Sequence, residues 1–501
     1  LKVWCHMSRV VVVGAGLGGI SAAVRLAAEG HRVTLVERNR LPGGKMNLVE
    51  AEGFRFDTGP SLVTLPGILA NTFEAAGKRM TDYVTLKPLE PVTRYRFADG
   101  SGLDLSSNLP RLVSELGNLS PDDVTGLFRF LAYSRTLFER AGPVFLFRER
   151  PSVRDLATRR AVDTLRIDAH LSMHRVVRRF FKDPRLVQLF DRYATYNGSS
   201  PYKAPATLCM IPYIEIAGGG WYIEGGLYKL VEALMEVARD LGVNFQPGTE
   251  VSEILVEPRG GLRSRGKVVG VRFAGGGMML TDAVVMNADP IYAYENLVPE
   301  EFRDRRLMRG MEGLEPSCSG FVLLLGVKGD YPEITHHNIF FSRDYQAEFD
   351  YIFERREPAP DPTIYVACTS KSDAAQAPPG HLNLFVLVNA PALTPETNWP
   401  AIQGYYRDVV LSALEARGLP GLRERIVFEQ AITPLDLEQR YHSWRGAIYG
   451  LSSNSRKTAF RRPSNRARGL RGLYFVGGSV HPGGGIPLVM LSARLVAKLV
   501  R

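Results

Sequence analysis

The sequence predicts an α/β fold: a parallel sheet with helices packed on it, assembled from pieces far apart in the chain, with a second, α+β domain between them. Three observations predict it. Val10 to Val13 is a four-valine run of the kind buried on both faces of a parallel sheet, and it leads straight into Gly14-Ala15-Gly16-Leu17-Gly18-Gly19. Val33 to Val36 reads as a second buried strand, ending at Glu37. Near the end of the chain, Leu473 to Val476 is a further buried strand, followed by Gly477-Gly478 and a helical pattern from Ile486 to Leu499.

The first strand and its glycines make a complete βαβ opening. Ile20, Ala23, Val24 and Ala27 recur at helical spacing, and Gly30 ends the helix before the second strand. Gly14, Gly16 and Gly19 form G-x-G-x-x-G, whose glycines let backbone approach a pyrophosphate at a helix N-terminus, where unpaired N–H groups and the dipole favour an anion. Glu37 stands where an acid accepts hydrogen bonds from ribose hydroxyls, and its charge disfavours a phosphate there, hence NADP. This fingerprint alone does not separate NAD from FAD.

After Glu37 come Arg38, then Leu41-Pro42-Gly43-Gly44-Lys45, then Gly53-Phe54-Arg55-Phe56-Asp57-Thr58-Gly59-Pro60-Ser61. The E-R-x-x-x-P-G-G-K and F-D-x-G-P-S segments resemble the flavin-containing amine oxidase and carotenoid desaturase superfamily. The resemblance implies FAD as cofactor, with a second loop carrying Arg38, Gly44, Lys45, Gly59 and Pro60 along the pyrophosphate and flavin ring. The closing segment from Tyr474 to Pro487, Y-F-V-G-G-S-V-H-P-G-G-G-I-P, resembles that of bacterial phytoene desaturases and implies cofactor contacts at Gly478, Ser479, Ile486 and Pro487. Ser479 stands where many flavoproteins carry an acid, as the carotenoid branch tends to have a small neutral residue.

Phe190 to Pro201, Ala204 to Thr207 and Gly219 to Gly226 resemble the same desaturases, and a helix is expected from Leu227 to Leu241. Val251 matches the position whose backbone touches adenine, and Val284 to Asp289 resembles a strand returning to the cofactor domain. The expected organisation is therefore a discontinuous, Rossmann-like FAD-binding domain over 7–75, 215–290 and 440–501, and an α+β substrate-binding and membrane-contacting domain over 76–214 and 291–439.

Composition bounds the rest. A chain of 501 residues, 45% hydrophobic and 23% charged, is ordinary globular material for two or three domains. Its four cysteines, Cys5, Cys209, Cys318 and Cys368, form neither a disulfide framework nor a zinc pattern, and no metal is expected. His336-His337 lacks partners at ligand spacing and reads as structural. The net charge of +10 is concentrated in Arg148–Arg192 and Arg456–Arg471. Neither segment carries a nucleic-acid-binding signature, so no nucleic-acid partner is expected. The uncharged run from Gly472 to Ala493 is broken by prolines and a glycine triplet, and is no membrane span. No signal peptide precedes Met7, which reads as the start, so the location expected is cytoplasmic, peripherally associated with the inner face of the membrane.

Leu127, Phe130, Leu131, Leu137 and Phe138 share a helical face that continues through Pro143 to Phe147 beside Arg148. Such a pattern suits a membrane surface, with Phe145 and Phe147 inserted, and equally a core helix beside a solvated charged neighbour. The resemblance implies an apolar carotenoid substrate and loss of hydride and proton from a polyene, extending its conjugation. His337 to Phe353, Asp361 to Val366 and Leu387 to Pro391 also resemble desaturases of 1-hydroxylated carotenoids acting at the 3,4 bond. Ketolases and isomerases share the family. Amine oxidases and prenyl-binding GDP-dissociation inhibitors share the superfamily fold, and Glu37 with both flavin loops argues against the inhibitors. No catalytic residue is assigned: Asp57 and Glu215 read as structural acids at cofactor-like turns, and Lys45 as a cofactor contact.

Overall fold

Valine-rich strands with no polar face must be covered on both sides, and that requirement organises one half of the molecule. The computed structural model describes residues 7–145, 168–259, 265–311, 313–455 and 462–500. Five strands form a parallel sheet: β1 (Arg9–Val13), β2 (Arg32–Glu37), β3 (Asn244–Pro247), β4 (Ala283–Met286) and β5 (Leu473–Phe475). Their spatial order is β5-β4-β1-β2-β3, so all three separated pieces of chain meet in one sheet.

Six helices position the rest: α1 (Leu17–Ala28), α2 (Pro66–Ala75), α3 (Val124–Phe145), α4 (Met210–Gly218), α5 (Pro434–Tyr441) and α6 (Ile486–Leu499). Helices α1 and α6 cover one face of the sheet together with the helix Lys229–Asp240. That last helix starts two residues later than the pattern suggests, and just ahead of it the Asp57 carboxylate accepts from the N–H groups of Leu227 and Tyr228 at 2.8 and 3.0 Å. The other face is covered by the antiparallel strands Val251–Pro258 and Gly266–Phe273 and by the segment Ala293 to Phe302. Met80 to Leu89 packs into the first of these cores, and Leu86–Pro88 pairs with Trp221–Ile223. Both cores thus take in side chains beyond 75 and 290.

The second half is a mixed seven-stranded sheet in the order Ile426–Ile432, Ser319–Lys328, His381–Ala390, Ile364–Ala367, His337–Phe340, Thr93–Arg96, Gly102–Leu105. Trp399 and its helix lie on one face, and α3 and α4 belong to a second apolar cluster. In α3, Leu127, Phe130 and Leu137 are fully buried, and Phe130 packs on Phe181 and Phe190 with ring centroids 5.4 and 4.8 Å apart. Leu131 and Phe138 join the same cluster half-buried. This face therefore belongs to the core, where each fully buried side chain contributes about 1.5–3 kcal/mol, and it is not a membrane face. The side chain of Phe145, residue Phe147 and the start of the basic segment at Arg148 lie outside the described residues. No helix among the described residues is long and apolar enough to cross a membrane.

Candidate cofactor and active site

The carboxyl ends of β1, β2, β4 and β5 open into one cavity of about 370 Å³ that runs from Glu37 to the second sheet at Val322, Phe385 and Leu387. Gly14, Gly16, Glu37, Arg38, Gly44, Lys45, Gly59, Pro60, Val251, Gly478, Ser479 and Ile486 line it, so twelve of the fourteen residues expected from the sequence are brought together. Gly19 and Pro487 are not in the wall. A Cβ on Gly19 would lie 2.0 Å from the Gly14 carbonyl oxygen, so this glycine serves the close crossing of α1 under its own loop. Pro487 is buried in the first turn of α6.

Helices α1 and α6 both begin at the cavity with a glycine N-cap, Gly16 and Gly485, and neither cap has a side-chain acceptor. Their first N–H groups are thus left for something else. A Cβ on Gly59 would lie 1.9 Å from the Lys45 carbonyl oxygen, so only a glycine lets the second loop's two glycine turns approach so closely. Gly43 donates to the Ala15 carbonyl at 2.7 Å, tying that loop to the first.

Glu37 is buried, and its two oxygens hold both sides of the turn: Oε2 accepts from the Ala15 N–H at 2.7 Å, and Oε1 from the Asn39 N–H and side-chain amide at 2.9 and 2.8 Å. Each oxygen keeps lone-pair capacity toward the cavity. Arg38 contacts His442 and donates to the Gln439 carbonyl in α5, while the His442 ring stacks on Tyr292 at 3.8 Å. Burial and the Arg38 charge push the His442 imidazole down to about 4, so it is neutral in this wall. Lys45 donates to the carbonyls of Ala447 and Ile448 at 3.1 and 2.7 Å. Removal from water lowers its ammonium to about 8, against the opposing pull of Asp289.

Several residues in the wall escape sequence reasoning. Asn287, in the loop after β4, lies against the first glycine loop and donates to the Val476 carbonyl at 2.9 Å, joining the first and last motifs. Burial raises the Asp289 carboxyl, which interacts with Ser479 and faces Lys45. Tyr449 and His442 come from a segment with no motif of its own. The signal was present only at Val284 to Asp289, read as a strand and not as a site.

Glu215 on α4 is not in the wall. It is fully buried and accepts from Tyr193 at 2.7 Å and from Tyr196. Arg192 lies over the rings of Tyr95, Tyr193 and Tyr196 at 5.3, 5.0 and 5.2 Å and donates to the Tyr95 hydroxyl at 2.8 Å. Beside this cluster, Ser61 bonds Tyr365, whose hydroxyl lies 2.7 Å from His337 Nδ1. His336 Nδ1 bonds Ser372 at 2.8 Å. Both imidazoles are buried and held below their ordinary range by loss of water.

A family model described as flavin containing amine oxidoreductase matches residues 17–501. The chain belongs to the flavin-containing amine oxidoreductase family. Among relatives within reach of this family member, a 4,4'-diapolycopene oxygenase of a Methylomonas species is 40% identical over 492 residues, covering 97% of each chain. A zeta-carotene-forming phytoene desaturase of Myxococcus xanthus is 37% identical, covering 98% of this chain and 93% of its own. In fold, an oxidoreductase from Methanosarcina mazei superimposes with a TM-score of 0.67 at 19% identity, covering 98% of this chain and all of its own. As a flavin-containing amine oxidoreductase the protein is an oxidoreductase with a flavin cofactor. The cavity fits that group: two uncapped helix N-termini and a backbone cradle that side chains would fill suit the anionic part, and an apolar wall lies at the opposite end.

Proposed function

We propose that this flavoprotein is an FAD-dependent carotenoid oxidoreductase of the phytoene desaturase type, which removes a hydride and a proton from a polyene and so extends its conjugation. The observation that carries the proposal is the 37% identity with the Myxococcus desaturase across nearly the whole of both chains. FAD, when bound, supplies a two-electron hydride acceptor. The preference for FAD rests on a cavity long enough for two ends: Glu37, Val251 and Tyr292 suit an adenosine, while Lys45, Tyr449 and Ile486 suit a flavin ring.

The chain's own groups supply positioning. The N-terminus of α6 directs its dipole at the ring end, and Lys45, fixed by two carbonyls, adds a charge there. Val322, Phe385 and Leu387 offer an apolar wall against which a polyene loses no hydrogen bonds, and they keep water from the reacting carbons. Peripheral attachment to the membrane belongs to the same proposal, since so apolar a substrate resides in lipid and each Lys or Arg near an anionic surface adds about 1 kcal/mol.

A second reading, oxygen insertion at a polyene end, is favoured by the 40% identity with the diapolycopene oxygenase. Expression in one host that makes phytoene and in another that makes an already coloured polyene, followed by mass analysis of the pigments, separates the two. Products lighter by pairs of hydrogens support desaturation, and products heavier by oxygen from an already coloured polyene support the second reading. Unchanged polyenes of both kinds, with amines oxidised instead, would overturn the carotenoid assignment.

A further inference from the structure

On the side of the nucleotide-binding sheet where α1, α2 and α6 meet, a separate pocket of about 130 Å³ is lined by Arg25, Gly67, Ile68, Asn71, Met490, Leu491 and Arg494. It exceeds several-fold the roughly 10–15 Å³ that one water needs. Two guanidinium groups share it. Arg25 is only 7% exposed, and its Nη2 donates to Asn71 Oδ1 at 3.0 Å and Thr72 Oγ1 at 3.1 Å, while its Nε is buried with no partner. Arg494 faces it from α6. Burial and then the charge of Arg494 lower the Arg25 guanidinium to about 10, so at neutral pH it remains positive.

No carboxylate among the described residues lies within ion-pairing distance of either arginine. Glu29 and Glu74 act on Arg25 only at longer range, and Asn71 turns its amide to Glu74 at 3.2 Å. Part of the wall is the first turn of α2, a ten-residue helix whose N-cap, Leu65, offers no side-chain acceptor. Pro66 has no N–H, so Gly67 presents the first free amide, at the positive end of the helix dipole. A Cβ on Gly67 would meet nothing within 4 Å, so the space in front of that turn is open. Met490 and Leu491 close the floor.

Two like charges held in one pocket repel unless an anion lies between them, and a planar guanidinium fork matches a tetrahedral oxyanion. We infer that this pocket is a binding site for a phosphate group, distinct from the cofactor cavity. A free phosphate and the headgroup of a phosphatidate share this chemistry. The apolar floor beside the charged groups would suit either the bare ion or the first carbons of a lipid.

The test is a titration of flavin-loaded protein, whose cofactor site is filled, with inorganic phosphate and in parallel with a short-chain, monomeric phosphatidate, against chloride at equal ionic strength. Affinity for at least one phosphate probe should fall tenfold or more in Arg494→Ala, the loss expected when one charge-assisted contact is removed. Gly67→Leu keeps both arginines, improves helix propensity and fills the open space, so it should abolish binding while flavin content is retained. Tighter binding of phosphatidate than of phosphate assigns the site to a lipid headgroup, and the reverse order assigns it to a free phosphate. Binding of neither probe, or equal binding by wild type, Arg494→Ala and Gly67→Leu, would overturn the inference. If Arg494→Ala does not fold, Gly67→Leu alone decides.

Discussion

At the scale of single residues, Glu37 does two things at once. Its oxygens hold the glycine turn through the Ala15 and Asn39 N–H groups, and they line the cavity in which we propose that a ribose binds. Glu37→Ala should therefore lower flavin affinity at least tenfold, and leaving a buried N–H unpaired should also cost about 1–3 kcal/mol of stability, measurable as flavin retained on gel filtration and as a urea midpoint. Lys45 gives a prediction in pH. Its folded-state pKa of about 8 lies below the ordinary 10.5, so between those values the unfolded chain binds more protons than the native one. Stability of the flavin-free protein should then rise from about pH 8 to pH 10.5, and Lys45→Met should remove that slope. An unchanged slope would place the lysine in water. Lys45 and Glu37 were legible in the sequence because they sit inside spaced motifs. Asn287 was not, since its partners, Gly16 and Val476, are brought to it only by strand pairing between β1, β4 and β5.

At the scale of elements, β1, β2, β5 and both glycine-started helices follow from local apolar pattern and glycine spacing, with α6 running from Ile486 to Leu499 as its apolar pattern indicates. What local pattern leaves open is which face meets what. The apolar face of α3 has the same sequence signature whether it meets lipid or Phe181 and Phe190, and it meets the phenylalanines. Replacing Phe130 by Ala should accordingly cost about 3–5 kcal/mol in thermal or urea unfolding, the range for a fully buried aromatic, with no special loss of liposome binding. In α4, Glu215 has its carboxylate among tyrosine hydroxyls beside the buried Arg192. Glu215→Ala would leave that guanidinium with its charge uncompensated, and a loss of about 3–5 kcal/mol is expected. A near-neutral effect would show that the tyrosine rings alone hold the cation. Asp57, by contrast, caps Leu227 and Tyr228, a role its place in a turn suggested.

At the scale of the whole molecule, the cofactor half encloses a cavity only because three segments separated by hundreds of residues form one sheet, and the second sheet closes its far end at Val322, Phe385 and Leu387. The discontinuity was legible because each segment carries its own glycine turn. The closing wall was not, because its residues are ordinary strand-formers until Ser319–Lys328 and His381–Ala390 pair. The central claim is that this cavity brings a polyene carbon to a flavin. Anaerobic mixing of the purified, flavin-loaded protein with phytoene in liposomes, followed in the visible spectrum, tests it most directly. The flavin absorbance should bleach while a longer-wavelength polyene absorbance grows, and amines should leave the spectrum unchanged. Bleaching by amines, with phytoene inert, would contradict it.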